Sequence, residues 1–211
     1  MDVVEAPVSR LERRKQRTRS ALIQAAQGLI AAGRLNVPIL EITQAADVGM
    51  GSFYNHFATK EELFEAATLD VIDRHGEILD EVTAEVDDPA ETFASSFRMT
   101  GRFFRRRPQE SAILLANWQA ALTSEHGLAP RALRDIKAAT EAGRFTVDDP
   151  HRALAVAGGL LMGLGALLAS EPDRDGDQTT DAMAEDVLRL FGMSARDAHK
   201  ICTRPLPHIE S

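Results

Sequence analysis

The sequence predicts an all-α fold, and three observations carry that prediction. Apolar residues return at spacings of three and four through one segment after another. No stretch shows the strict alternation of a half-buried strand. Turn signals such as Gly33, Asp87-Asp88-Pro89 and Pro108 recur at intervals of helical length. With 211 residues, 44% of them hydrophobic, the chain can build one large domain or a small one beside a larger one.

The first eight residues read as disordered. A first helix is predicted from about Ser9 to Ala32, its buried stripe being Leu22, Ile23, Ala26, Leu29 and Ile30, with Gly33 as its stop. Two short helices follow, at about 38–46 and 50–57. Ile39, Ile42, Ala45 and Ala46 face a core from the first, and Phe53 and Phe57 from the second. Between them Asp47 tolerates the left-handed backbone of a sharp turn, and Val48 anchors it. Thr59 and Glu62 form a capping box for a long fourth helix through Leu63, Phe64, Ala67, Val71, Ile72, Ile78 and Val82 to about residue 86. Asp88 caps a fifth helix with Pro89 at its first position, and Pro108 ends it at Arg107. Further helices are predicted at 109–124, 130–142, 150–170, 179–191 and 194–202.

Charge is distributed unevenly. The net value is −8, but residues 1–60 carry eight Lys and Arg against five Asp and Glu, a balance of +3. The remainder carries sixteen against twenty-seven, a balance of −11. Arg10, Arg13, Arg14, Lys15, Arg17 and Arg19 lie within ten positions, so the local field is basic although the whole chain is acidic. The single Cys202 excludes an internal disulfide, fits a reducing cytoplasm, and reads as an inert thiol. The polar N-terminus offers no secretory signal. Ala153 to Ala169 is an apolar run of seventeen residues, short of the roughly 20 a span needs, and is expected in a core or a dimer rather than a membrane.

The two short helices form a helix-turn-helix. With Phe53 and Phe57 turned inward, Met50, Gly51, Ser52, Tyr54, Asn55 and His56 are left free to meet a DNA major groove. The stretch Ile42-Thr43-Gln44-Ala45-Ala46-Asp47-Val48-Gly49-Met50-Gly51-Ser52-Phe53-Tyr54-Asn55-His56-Phe57, followed by Lys60-Glu61-Glu62-Leu63, resembles the N-terminal signature of TetR-type transcriptional regulators. The resemblance covers about residues 11–65. It implies a DNA-binding domain over 1–58 and an effector-binding and dimerisation domain over 59–211. It also implies a homodimer on a palindromic double-stranded DNA operator, released by a small-molecule effector; the residues themselves give no sign of a cofactor or of catalysis, and the expected location is the cytoplasm, without a membrane. Tyr54, His56 and Lys60 fall where the family commonly contacts phosphate; Met50, Gly51 and Ser52 fall where it reads base edges. Lys60 opens a helix whose free N–H groups add to its charge.

Some positions depart from the family pattern. Gly49 lacks the usual capping hydroxyl, Asp47 stands where Gly is common, and Pro38 and Leu40 stand where Thr and Arg are common. The basic segment Arg13 to Arg19, with Arg13, Arg14 and Arg17 as its candidate contacts, is therefore expected to carry more of the phosphate binding. An all-α small-molecule-binding protein or enzyme that has lost DNA binding, and a protein-docking module, are the competing readings.

Arg105, Arg106 and Arg107 suit a helix C-terminus electrostatically. His75, His126, His151, His199 and His208 share no metal-ligand spacing. Phe93, Phe97, Phe104, Trp118 and Met162 are candidates for an apolar effector pocket, with Asn117 as its orienting polar group. Gly158, Gly159, Gly163 and Gly165 weaken a helix unless something packs close to it. Leu160, Leu164, Leu168, Leu188 and Phe191 are the expected dimer contacts, by resemblance to a family interface built from the last two long helices.

Overall fold

The computed structural model describes residues 9–123, 125 and 127–206, apart from the side chains of Ala120 and Thr123. The first eight residues, His126 and His208 lie outside them. The regular elements are helices: α1 (Arg10–Ala31), α2 (Ile39–Ala45), α3 (Met50–Tyr54), α4 (Lys60–Thr83), α5 (Pro89–Arg106), α6 (Pro108–Ala116), α7 (Trp118–Thr123), α8 (Leu128–Glu141), α9 (Pro150–Ser170), α10 (Gly176–Leu190) and α11 (Ala195–Cys202). They form two compact units, Met1–Asp70 and Val71–Ser211.

The division falls inside α4 rather than at 58/59. Leu63 and Ala67 on its first turns are fully buried. Gln27 of α1 donates to the Ala67 carbonyl at 3.2 Å and to Asp70 Oδ2 at 2.8 Å, which ties these turns to the N-terminal helices.

In the smaller unit, Ser9 caps α1 by accepting the Glu12 N–H at 3.1 Å. All five residues of the expected α1 stripe are buried. Asp47 adopts φ 52°, the only positive φ of a non-glycine among the described residues. Its turn closes with the Val48 N–H on the Thr43 carbonyl at 3.0 Å. α3 stops at Tyr54, earlier than expected, but the Phe57 N–H still reaches the Phe53 carbonyl, so both phenyl rings stay buried.

In the larger unit, α5, α8, α9, α10 and α11 enclose a core in which Phe145 stands edge to face with Phe93 and Phe191 and these two are tilted to each other, with centroids 5.3 to 5.7 Å apart. A second cluster joins Ile72, Phe104, Leu114, Trp118, Ala121, Leu164 and Leu168. The helix expected over 109–124 is broken at Asn117, whose backbone leaves the helical region and whose Nδ2 donates to the Ile113 carbonyl at 2.8 Å. α8 starts at Leu128, after Gly127 at φ 76°. α10 starts at Gly176 rather than 179, because Asp175 caps it by accepting the Gln178 N–H at 2.9 Å. Arg105 does more than suit its own helix end: its Nη2 donates to the carbonyls of Glu171 and Arg174, in the loop that follows α9.

Candidate DNA-binding surface and ligand cavity

The smaller unit gathers polar and basic groups around α3. Met50, Gly51, Tyr54 and Asn55 are exposed, Ser52 and His56 are half-buried, and Arg13, Arg14 and Arg17 are exposed along α1. Tyr54 is 59% exposed although its ring meets Phe53 edge to face, so its hydroxyl is held outward on a stiff support. Lys15 and Arg19, one helical turn apart on α1, lie close enough to His56 to act on it. Burial, then the charges of Lys15 and Arg19, hold the His56 pKa below its ordinary value. The Arg19 guanidinium also sits 5.2 Å from the Phe57 ring centroid. Both lie in the basic segment Arg13 to Arg19 but were not singled out beside Arg13, Arg14 and Arg17; their spacing of four, in phase with Ile23 of the buried stripe, is the signal that points them toward α3.

The departures from the family pattern have local consequences. Gly49 and Pro38 begin α3 and α2 with extended backbone and no side-chain cap. Leu40 is 52% exposed, and Glu41 pairs with Arg34, which occupies the acid of the first turn of α2. Lys60 opens α4 and donates to Asn36 Oδ1 at 3.1 Å.

The larger unit contains a cavity of about 60 Å³ lined by residues of α4, α5, α7, α8 and α9. Phe93, Phe97 and Trp118 line it as expected. Its polar side was missed: Asp80 of α4 with Arg131, Arg134 and Asp135 of α8. Asp80 accepts from Arg131 Nε at 2.5 Å and from Arg134 Nη2 at 3.0 Å. Burial pushes its carboxyl up, but these hydrogen bonds and charges outweigh it and hold the pKa below the ordinary value. Asp135 accepts from Arg134 Nε at 2.9 Å; burial dominates there, and its pKa is raised. Arg131, Arg134 and Asp135, three and four apart on one helix face, carry a sequence signal that could have found the α8 part of this set, but not Asp80.

Three expected pocket residues stand elsewhere. Met162 is 46% exposed on the outer face of α9. Phe104 is seven residues beyond Phe97 on α5 and packs into the second cluster. Asn117 does not line the cavity, because its amide is spent on the Ile113 carbonyl.

Four of the five expected dimer contacts, Leu164, Leu168, Leu188 and Phe191, are buried in the core of the chain itself. Leu160 is half-buried against the core. The outer face of α9 instead carries Ala155, Val156, Gly159, Met162, Gly163 and Ala166, all exposed. By length and composition α9 is apolar enough to cross a membrane, and a third of that window is buried. Its glycines divide by direction. A Cβ on Gly158 would meet Leu122 Cδ2 at 2.6 Å and one on Gly165 would meet Leu115 Cδ2 at 2.6 Å, whereas Gly159 and Gly163 have nothing within 4 Å.

Among the described residues no group of three His, Cys, Asp or Glu stands together to hold a metal ion. Cys202 is buried, which pushes its thiol up to about 12.

Comparison with known proteins agrees with both units. The profile described as bacterial regulatory proteins of the tetR family matches residues 22–67, and that described as the tetracyclin repressor-like C-terminal domain matches residues 88–204. RolR, solved in complex with resorcinol, is 34% identical over 94% of this chain and 99% of its own, with a TM-score of 0.65. Ligand-free RolR is likewise 34% identical, over 90% and 100% of the two chains, with a TM-score of 0.71. The fatty acid degradation regulator FadR from Bacillus halodurans shares the fold at 17% identity, covering 81% of this chain and 94% of its own, TM-score 0.69. No curated protein matches by sequence. A helix-turn-helix unit joined to an all-α unit with an internal cavity defines a one-component transcription regulator. The chain belongs to the TetR family.

Proposed function

We propose that the chain is a ligand-responsive repressor that binds a palindromic DNA operator as a homodimer and releases it when a small effector enters the cavity. The observation that carries the DNA reading is the basic group of Lys15, Arg19 and His56 beside an α3 whose Met50, Tyr54 and Asn55 stand out to solvent. Phosphate contacts from Arg13, Arg14, Arg17, Lys15, Arg19, Tyr54, His56 and Lys60 set register; Met50, Gly51 and Ser52 read base edges. The second copy docks on the outer face of α9, where Val156 and Met162 are exposed and Gly159 and Gly163 allow close approach.

The cavity supports a small effector. Its 60 Å³ falls below the roughly 150 Å³ of a cavity that binds benzene, so wall side chains must yield even to a single ring. The resorcinol bound by RolR is a single ring, to which the wall side chains must give way, and it carries hydroxyls that suit Asp135 and Asp80. Leu79 and Asp80 bring α4 to the cavity and Lys60 opens the same helix, so one element belongs to both sites. A coupling of about 1–3 kcal/mol is enough to change operator affinity 5- to 150-fold.

The test is a band shift with DNA from upstream of the gene, with and without resorcinol. A specific shift relieved by the diphenol supports the proposal. A folded dimer that selects no inverted repeat from random DNA overturns it in favour of a ligand-binding protein without DNA function.

A further inference from the structure

Trp118 is the only tryptophan of the chain, lines the cavity and is 8% exposed. Its indole Nε1 is buried and meets no acceptor; it is the one buried side-chain nitrogen or oxygen without a partner among the described residues. An indole N–H donates only, so the group has no alternative way to be satisfied. Buried donors left unmade are rare in folded proteins and mark a place where a partner is to be supplied. Other polar groups of the cavity have partners within the protein, although a carboxylate held by an arginine keeps further lone pairs free to accept. Thr100 Oγ1 donates to the Ser96 carbonyl at 2.8 Å and faces His75 Nε2 at 3.1 Å, and Asp135 and Asp80 are held by the arginines of α8.

Resting on the reading of this cavity as the effector site, we propose that Trp118 is its specificity-determining donor, giving a hydrogen bond to an oxygen acceptor on a single-ring effector. The effector class follows from the lining. Phe93, Phe97, Leu122 and Leu161 demand an apolar ring. Trp118 demands an acceptor on that ring, and the Asp135 carboxyl accepts from a hydroxyl. A dihydroxybenzene meets all three demands. Toluene meets only the first and leaves the indole N–H unmade, so the site discriminates against it through an unsatisfied polar group rather than a clash.

The chain has one indole, so the 15N spectrum of the full-length protein holds one indole cross-peak and needs no variant to be read. Saturation with resorcinol is expected to move that peak downfield, as a newly hydrogen-bonded N–H moves, whereas toluene leaves its proton shift near the free position. Calorimetry on Trp118→Phe, which keeps an apolar ring but removes the donor, is expected to show resorcinol bound about tenfold more weakly and toluene within twofold of the wild type. An unmoved indole peak at saturating resorcinol, equal affinity in W118F, toluene bound as tightly as resorcinol, or no resorcinol binding overturns the proposal. If resorcinol binds with the expected shift but leaves the operator complex intact, the donor role stands and the repressor reading fails.

Discussion

Arg102 of α5 clasps Asp181 of α10 with both terminal nitrogens, Nη1 on Oδ1 at 2.8 Å and Nη2 on Oδ2 at 3.0 Å. Arg98, one turn earlier, shares the same carboxylate through Nε at 2.8 Å and donates Nη1 to the Arg204 carbonyl at 3.0 Å beyond α11. Both guanidiniums are buried. Asp181→Asn therefore leaves two buried cations facing an amide, with only Asp177, 3.4 Å from Arg102 Nε, to compensate. The expected loss is about 3 kcal/mol, the lower part of the range for breaking a buried pair, since Asp181 itself is part-exposed. Thermal unfolding should register it as a fall in Tm of roughly 6–12 °C.

His75 gives the larger unit an acid-sensitive step. Burial lowers its pKa to about 4, against 6.5 when unfolded, so the unfolded chain takes up the proton first as pH falls. Its contribution is complete above pH 6.5 and is lost down to about pH 4, amounting to on the order of 3 kcal/mol. Denaturant titrations across that window should show the slope, and His75→Gln should remove most of it.

Operator binding should divide by residue type. Lys15→Ala and Arg19→Ala are expected to weaken binding to all sequences and to reduce the slope of affinity against salt by about one each. Ser52→Ala should instead alter base preference. A phosphate beside His56 raises its lowered pKa, so binding takes up a proton and affinity increases as pH falls through the titration of this group. His56→Gln should abolish that dependence, as read by fluorescence anisotropy over a pH series.

Assembly gives a further test. Met162→Glu places a charge on the outer face of α9, where Gly163 lies beside it, without entering the core. Sedimentation should find a folded monomer in place of the dimer. A dimer of unchanged stability would move the interface elsewhere.

The helices and the turn at Asp47 were legible because their signals are local: apolar spacing, caps and a residue type that accepts positive φ. Asn117 was not, since an amide within the run from Ala112 to Leu122 turns against its own helix only when Nδ2 finds the Ile113 carbonyl. Leu164 and Leu168 were named as interface contacts by resemblance, which points to a helix but not to one of its faces; α9 is apolar on every face, so periodicity does not say which of them a neighbour covers. The polar wall of the cavity escaped for a related reason. Asp80 is 51 residues from Arg131, and only the packing of α4 on α8 makes them partners. Trp118 was found because a lone indole in an apolar run stands out by residue type, before any geometry is known.

The adjacent Gly158 and Gly159 give α9 two independent sides. A bulkier residue at 158 would press on Leu122 and reshape the chamber for the ring, whereas one at 159 would alter only what the subunit presents outward. On the reading proposed above, mutation can therefore tune effector choice and pairing separately on one helix.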